Sequence, residues 1–188
     1  MKRLLVIIIV LSFAVSGISA GLISFGFGAQ GVNSQPISAE SAFEDWTYGA
    51  EMRLGVLFLE GSLNGRFTSE SEFTGLVTVG TNLSLFGLLH IGVGVGPELG
   101  LQFPEGEIGW FYRDDNGFKQ PSNDILEMFN NGLVHYRAHA DVKFGRFSWG
   151  LSYEVPSSGF TFSNEDYLSM VPHWDQAQFG TSLLFWLF

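Results

Sequence analysis

The stretch LVHYRAHADVKFG, residues 133–145, is the sequence feature that most limits what this chain can fold into. Apolar and polar residues alternate without interruption from Val134 to Phe144. Because successive side chains of a β-strand point to opposite faces, this pattern predicts a strand with one apolar face and one charged face. What each of these two faces contacts therefore decides the fold.

The same alternation recurs between polar, turn-rich stretches and predicts eight strands of about 9–15 residues each. Three connections share the pattern apolar-Gly-x-apolar, at residues 54–57, 86–89 and 144–147, which is typical of type II′ hairpins. The middle connection fits better as a three-residue loop. The other connections are polar, and residues 122–130 favour a short helix within the third. The predicted strands are residues 21–30, 46–54, 57–67, 73–85, 89–103, 133–145, 146–155 and 175–188, and the polar loops are residues 31–45, 68–72, 104–132 and 156–174.

The N-terminus and the composition narrow the class of protein further. Lys2 and Arg3 precede an apolar run and then small residues up to Ala20, which predicts a secretory signal peptide at residues 1–20 before a single domain at residues 21–188. Removal of the signal peptide leaves seven basic against 19 acidic residues, a formal charge of −12, which argues against nucleic acid as a partner. The absence of cysteine excludes disulfides and thiolate sites.

The signal peptide, the eight alternating strands, the glycine turns and the aromatic C-terminus Leu184-Phe185-Trp186-Leu187-Phe188 resemble the small eight-stranded outer-membrane β-barrels of the OmpX, OmpA-transmembrane and OmpW type. The resemblance implies an all-β, eight-stranded antiparallel up-and-down transmembrane barrel with short periplasmic turns, longer extracellular loops and periplasmic termini. It implies as partners the lipid bilayer of the outer membrane, periplasmic chaperones and the barrel-assembly machinery, and an extracellular ligand for the loops stays open. The assembly signal would be Leu184, Trp186 and Phe188.

A sheet in lipid cannot leave an edge unpaired, so the strands must close into a barrel. Eight strands enclose a lumen just wide enough for side chains to fill, which assigns the apolar faces to lipid and the polar faces to the lumen. Four fixed cations and five anions then predict an ion-paired plug, because a buried charge without a partner costs several kcal/mol. The predicted lumen residues are Glu51, Arg53, Glu60, Arg66, His90, Glu98, His135, Arg137, His139, Asp141, Lys143 and Glu154.

Cross-strand neighbours follow from the turns. A turn at Gly145-Arg146 places Arg137 opposite Glu154, His139 opposite Ser152, and Lys143 opposite Ser148. A turn at Gly55-Val56 places Glu51 opposite Glu60, and a cation such as Arg53 is then expected between them. On another wall of the lumen, the small residues Gly92, Gly94 and Gly96 leave room.

Aromatic residues gather near the ends of the predicted strands, as in the girdles of membrane barrels. The alternative interpretation is the core of a soluble β-sandwich. The predicted girdle residues are Trp46 and Tyr48 at the loop end and Phe144, Phe147, Trp149, Trp186 and Phe188 at the turn end.

Three patterns suggest chemistry, and each has a simpler interpretation. Four residues of a strand span about 13 Å, so His135 and His139 cannot share one metal ion, and hydrogen-bonded lumen histidines without a metal or cofactor are expected. Ser152, His139 and Asp141 suggest a nucleophile, a base and an orienting acid, but Asp141 lies about 7 Å along the same strand. Residues 114–117, Asp-Asp-Asn-Gly, begin like a calcium loop but lack its closing ligands, which favours a turn.

The sequence therefore favours a non-enzymatic structural or surface-interaction barrel with acidic extracellular loops. A narrow channel for small solutes or ions is the first alternative, since the small glycines on one lumen wall leave room. A lipid-modifying outer-membrane enzyme is the second.

Overall fold

The alternating segments form eight long antiparallel strands that close into a barrel. In this computed structural model, residues 23–33, 46–69, 72–103, 108–114, 118–158 and 171–188 are described. Each long strand pairs with the next one along the chain, and the last strand pairs with the first, so the eight long strands form a closed ring. The long strands are β1 (Ile23–Asn33), β2 (Trp46–Val56), β3 (Leu59–Ser69), β4 (Glu72–Leu85), β5 (Leu89–Gln102), β8 (Val134–Phe144), β9 (Phe147–Ser158) and β11 (Gln178–Trp186).

The third polar connection has more structure than the sequence predicts. It contains β6 (Gly109–Arg113), which pairs with β5, and β7 (Lys119–Pro121), which pairs with β6. The helix α1 (Ile125–Asn131) follows, and Asp124 caps it by accepting a hydrogen bond from the Leu126 amide. The prediction of one polar loop over residues 104–132 is therefore wrong, although its short helix is present. β6 pairs with the part of β5 that extends beyond its pairing with β8.

Two smaller elements precede the last strand, and some predictions lie outside the described residues. β10 (Val171–Pro172) pairs with the end of β9, and a 3₁₀ turn covers Trp174–Gln176, so the last long strand begins three residues later than predicted. The signal peptide, residues 115–117 and most of the acidic loop residues fall outside the described parts. Among the described residues, no helix combines the length and the apolar composition that crossing a membrane requires.

Two of the three predicted tight turns have the expected register. Gly145 has φ +65° at the first central position of its turn, and Leu85 pairs with Leu89 across a three-residue loop. The first hairpin differs: Val56 pairs with Leu59, so the turn is Leu57-Phe58, two residues later than predicted. The shift keeps every side chain on its predicted face because it moves the turn by an even number of residues.

The corrected register also separates two acids. Glu51 pairs with Asn64, and Glu60 pairs with Gly55, so the predicted opposition of Glu51 and Glu60 is wrong. Like charges directly opposite each other destabilise a strand pair, which gives a physical reason for the observed register.

The barrel is apolar outside and polar inside. Large apolar side chains are exposed on the outward faces of the long strands, whereas most of the buried polar and charged residues lie on the inward faces. The C-terminal strand has apolar residues on both faces, which leaves its register open in the sequence. In the structure Leu184 and Trp186 are buried, and Leu183 and Leu187 are exposed. Trp186 is therefore not a girdle residue. Val134 is also buried rather than outward-exposed, at the rim where α1 packs on β5 and β6.

The Leu57-Phe58 turn generates a stability prediction. Leu57 has φ +58°, a left-handed conformation that costs a non-glycine residue about 1–2 kcal/mol. Leu57 and Leu59 are similarly exposed, at 53% and 50%, so they form a matched pair. We expect Leu57→Gly to leave the folded barrel more stable than Leu59→Gly by about 1–2 kcal/mol in urea unfolding of the refolded protein. Equal losses for the two variants would contradict the left-handed turn.

Candidate functional site

A continuous chain of alternating acids and bases runs through the interior of the barrel. Each consecutive pair in this chain has a nitrogen and an oxygen within 4.0 Å of each other. We call it the lumen chain, and its members are, from the loop end to the turn end, Glu98, Arg66, Glu154, Arg137, Glu51, Arg53, Asp141, His139, Glu60 and His90.

The loop-end half of the lumen chain is built on arginines. Arg66 lies 3.2 Å from Glu98 and 2.9 Å from Glu154. Glu154 is also 3.2 Å from Arg137, which faces it across β8 and β9 as the sequence predicts. Since each of these arginines contacts two acids, the positive charges are shared between neighbouring carboxylates.

The centre of the lumen chain joins strands from opposite parts of the sequence. Glu51 accepts from Arg53 at 2.5 Å and lies 2.7 Å from Arg137. Arg53 also donates to Asp141, which is 88 residues away. The side chains of these two acids and of Arg53 are fully buried, so the ion pairs here are shielded from water and the energetic consequence of removing a partner is large.

The turn end of the lumen chain consists of histidines around one carboxylate. Glu60 Oε2 lies 2.8 Å from His90 Nε2, and Glu60 Oε1 lies 3.2 Å from His139 Nε2. His90 Nδ1 is 2.9 Å from Ser84 Oγ, and the two imidazoles stack with centroids 5.6 Å apart. Glu60 comes from β3, His90 from β5 and His139 from β8. We call Glu60, His90 and His139 the histidine cluster.

Glycines accept the large side chains of the interior. A Cβ atom built on Gly92 would lie 2.2 Å from His139 Cε1, and one built on Gly26 would lie 2.9 Å from the Trp186 ring. The space that the sequence assigned to a glycine wall is therefore filled at Gly92 by an imidazole. At Gly92, therefore, the glycine does not leave open space.

Two predicted lumen residues lie outside the lumen chain. Lys143 faces Ser148 as predicted, but its ammonium group lies over the Trp186 ring, 4.0 Å from the centroid. Trp186 Nε1 in turn donates to Ser148 Oγ at 2.9 Å. His135 is half-buried at the loop end, and its Nε2 has no hydrogen-bond partner among the described residues. Both residues line the interior without joining the lumen chain.

The predicted nucleophile, base and acid are not arranged for a relay. His139 and Ser152 face each other in the predicted register. However, His139 Nε2 is closer to Glu60 than to Asp141, from which it is 3.7 Å away, and Asp141 is bound to Arg53. Ser84, His90 and Glu60 form the continuous hydrogen-bonded series in this region, a set that the sequence analysis missed because the residues come from three strands.

Comparison of the chain with protein-family models and with curated proteins gives no match. The function must therefore be inferred from the geometry of the barrel and its interior.

The lumen chain generates a prediction about stability. Removal of one partner from a buried ion pair costs about 3–5 kcal/mol, because the remaining charge stays buried. We expect Arg53→Met to lower the free energy of unfolding by that amount, as measured by urea titration. The control is Lys119→Met, which removes the partly exposed pair of Lys119 with Glu72 and is expected to cost less than about 1 kcal/mol. Similar losses for both variants would show that the central arginine is not an essential partner.

Proposed function

We propose that this protein is an integral outer-membrane β-barrel with a closed, ion-paired lumen, and that it serves as a structural or surface-interaction barrel rather than as an enzyme. In this proposal the tight turns face the periplasm and the longer connections face outward. The predicted signal peptide supports export from the cytoplasm. The eight long strands have 9–14 residues, which suits a tilted strand that crosses a bilayer in about 9–11 residues.

The main support for the proposal is the distribution of polarity, which is the reverse of the distribution in a water-soluble barrel. A water-soluble barrel would bury its apolar side chains, but here the fully buried side chains include Glu51, Arg53 and Glu154, whereas Val79, Val93 and Leu63 lie exposed. A closed barrel leaves no backbone edge unpaired, which lipid requires of any spanning sheet. Exposed aromatic residues near the turn end, Phe144, Phe147 and Trp149, suit the interfacial girdle of such a barrel.

The filled interior favours a closed barrel over a channel. The lumen chain extends from the loop end to the turn end, and each of its arginines holds two acids. Passage of an ion along this path would require several buried ion pairs to separate. We therefore assign the binding of external partners to the outer loops, whose acidic composition suits cationic partners at the cell surface.

The proposed lipid contact predicts a difference between two exposed positions. Val79, in the middle of β4, is 64% exposed, and Leu126, on α1, is 71% exposed. An arginine on the lipid face near the bilayer midplane costs about 2–4 kcal/mol, whereas one near the interface costs about 0–1 kcal/mol. We expect Val79→Arg to destabilise the barrel in lipid vesicles by the larger amount and Leu126→Arg to be close to neutral. A neutral effect of both substitutions would favour a barrel that meets water on all sides.

The proposed plug predicts a closed barrel in planar bilayers. The wild-type protein should show no steady single-channel current, because an ion that crosses the lumen would have to separate the buried ion pairs of the lumen chain. The control is Lys119→Met, which lies at the rim and should also leave the barrel closed. A steady current from the wild-type protein that changes in Arg137→Ala would support the channel alternative instead.

A further inference from the structure

The histidine cluster differs from the rest of the lumen chain in how its acid is neutralised. Glu51, Glu98, Asp141 and Glu154 each contact at least one arginine. Glu60 is buried, and its ion-pair contacts among the described residues are to His90 and His139 alone. A histidine is charged only when it is protonated, so no permanently charged group lies within 4.0 Å of the Glu60 carboxylate among the described residues.

The geometry points to a binding site for a divalent transition-metal ion, with zinc as its simplest occupant, formed by the Glu60 carboxylate and by Nε2 of His90 and His139. One ligand atom from each residue lies within 4.8 Å of the other two. The nearest ligand pairs are 2.8 Å and 3.2 Å apart, close to the roughly 3.4 Å between ligands of a tetrahedral zinc ion with bonds of about 2.1 Å. Two imidazoles and one carboxylate are a common set of protein ligands for zinc.

The hydrogen bonding of His139 is a second, independent observation that favours a metal ion at this site. Its side chain is 4% exposed, and Nε2 makes no hydrogen bond among the described residues, although Glu60 lies 3.2 Å away. Buried polar atoms usually make a hydrogen bond or bind an ion, and a nitrogen lone pair that faces a carboxylate suits a cation between the two. A metal ion between Nε2 and the Glu60 carboxylate would engage the nitrogen lone pair and neutralise the acid at once.

The surroundings of the cluster orient the ligands. When an ion binds, His90 Nε2 gives up its hydrogen bond to Glu60 Oε2. Ser84 Oγ, 2.9 Å from His90 Nδ1, can then accept the Nδ1 proton, which leaves the Nε2 lone pair for the ion. Gly92 lets the His139 imidazole lie over β5, since a Cβ atom there would be 2.6 Å from Nε2. Asn82 and Ser84 beside the cluster are only half-buried, so an ion can approach from the turn end.

The sequence predicts no metal site on β8 because His135 and His139 cannot bind one ion together. His135 does belong to a different part of the lumen, since it faces Gly96 and Pro156 at the loop end. The proposed site instead takes one ligand from each of β3, β5 and β8, and it is independent of the membrane role proposed above.

The test uses the full mature barrel, refolded in detergent and freed of metal with a chelator. Calorimetric titration with Zn²⁺, in the presence of excess Mg²⁺ to occupy surface carboxylates, should show one equivalent bound per chain. Glu60→Gln and His139→Gln should abolish this binding. The matched control His135→Gln removes a lumen histidine outside the cluster and should retain it.

Two further variants keep all three ligands and test their positioning. Ser84→Ala should weaken zinc binding by about 10–100-fold, the usual effect of removing an outer-shell partner. Gly92→Ala should also weaken it by displacing the His139 ring. Gly61→Ala, next to Glu60 and with no atom closer than 3.9 Å to the added Cβ, should leave it unchanged.

X-ray absorption of the zinc-loaded wild-type barrel keeps the test decisive if a ligand variant fails to fold. The proposal predicts a first shell with two imidazole nitrogens. No stoichiometric binding by the wild-type protein, an all-oxygen shell, or full binding by folded Glu60→Gln and His139→Gln variants would each overturn it.

Discussion

The requirement that every buried charge has a partner governs the interior of this barrel. Eight strands enclose too little space for bulk water around charged side chains, so the charges must neutralise one another. The lumen chain meets this requirement by placing an acid between bases at nearly every step. Its central link, Arg53 between Glu51 and Asp141, holds β2 and β8 in a fixed relation across the lumen.

Other features of the fold are consistent with that requirement. The first hairpin adopts the register that keeps Glu51 away from Glu60. Glycines stand where a neighbouring charged or aromatic side chain needs space, as Gly92 does for His139 and Gly150 does for Asp141. The apolar residues then lie on the outward faces, because successive side chains of a strand point to opposite faces and the charged residues occupy the inward one.

The fold and the faces could be predicted from the sequence because both depend on local periodicity. Alternation gave the strands, and the hairpin at Gly145 set the register that brings Arg137 opposite Glu154. The contacts across the lumen could not be predicted, since no turn determines which side chains of distant strands meet. Arg53 with Asp141, and Glu60 with His139, are such pairs.

The errors have equally specific physical causes. Leu57 has a left-handed turn conformation that is usual for glycine, so the sequence predicts the first turn at Gly55 instead. The last strand has apolar residues on both faces, so its sequence does not decide that the Trp186 ring points inward, where it contacts Lys143 and Ser148. The strands of the β6–β7 hairpin have only five and three residues and no alternating pattern, so the sequence does not distinguish them from a loop.

The two ends of the lumen chain have different chemistry. At the loop end, permanently charged arginines fix the acids in place, whereas at the turn end the ion-pair contacts of Glu60 among the described residues are to two histidines. The first arrangement suits a rigid plug. The second arrangement suits a site that binds a cation. One polar interior can therefore both close the lumen and bind a ligand.

The central claim is that the apolar exterior meets lipid, and spin labelling tests it most directly. The chain has no cysteine, so single cysteines placed at the exposed positions Val79, Val93 and Ala138 can be labelled without background. In proteoliposomes, the account predicts that these labels collide readily with dissolved oxygen, which concentrates in lipid, and rarely with a water-soluble nickel chelate. Labels that collide readily with the nickel chelate and poorly with oxygen would contradict a membrane-spanning barrel.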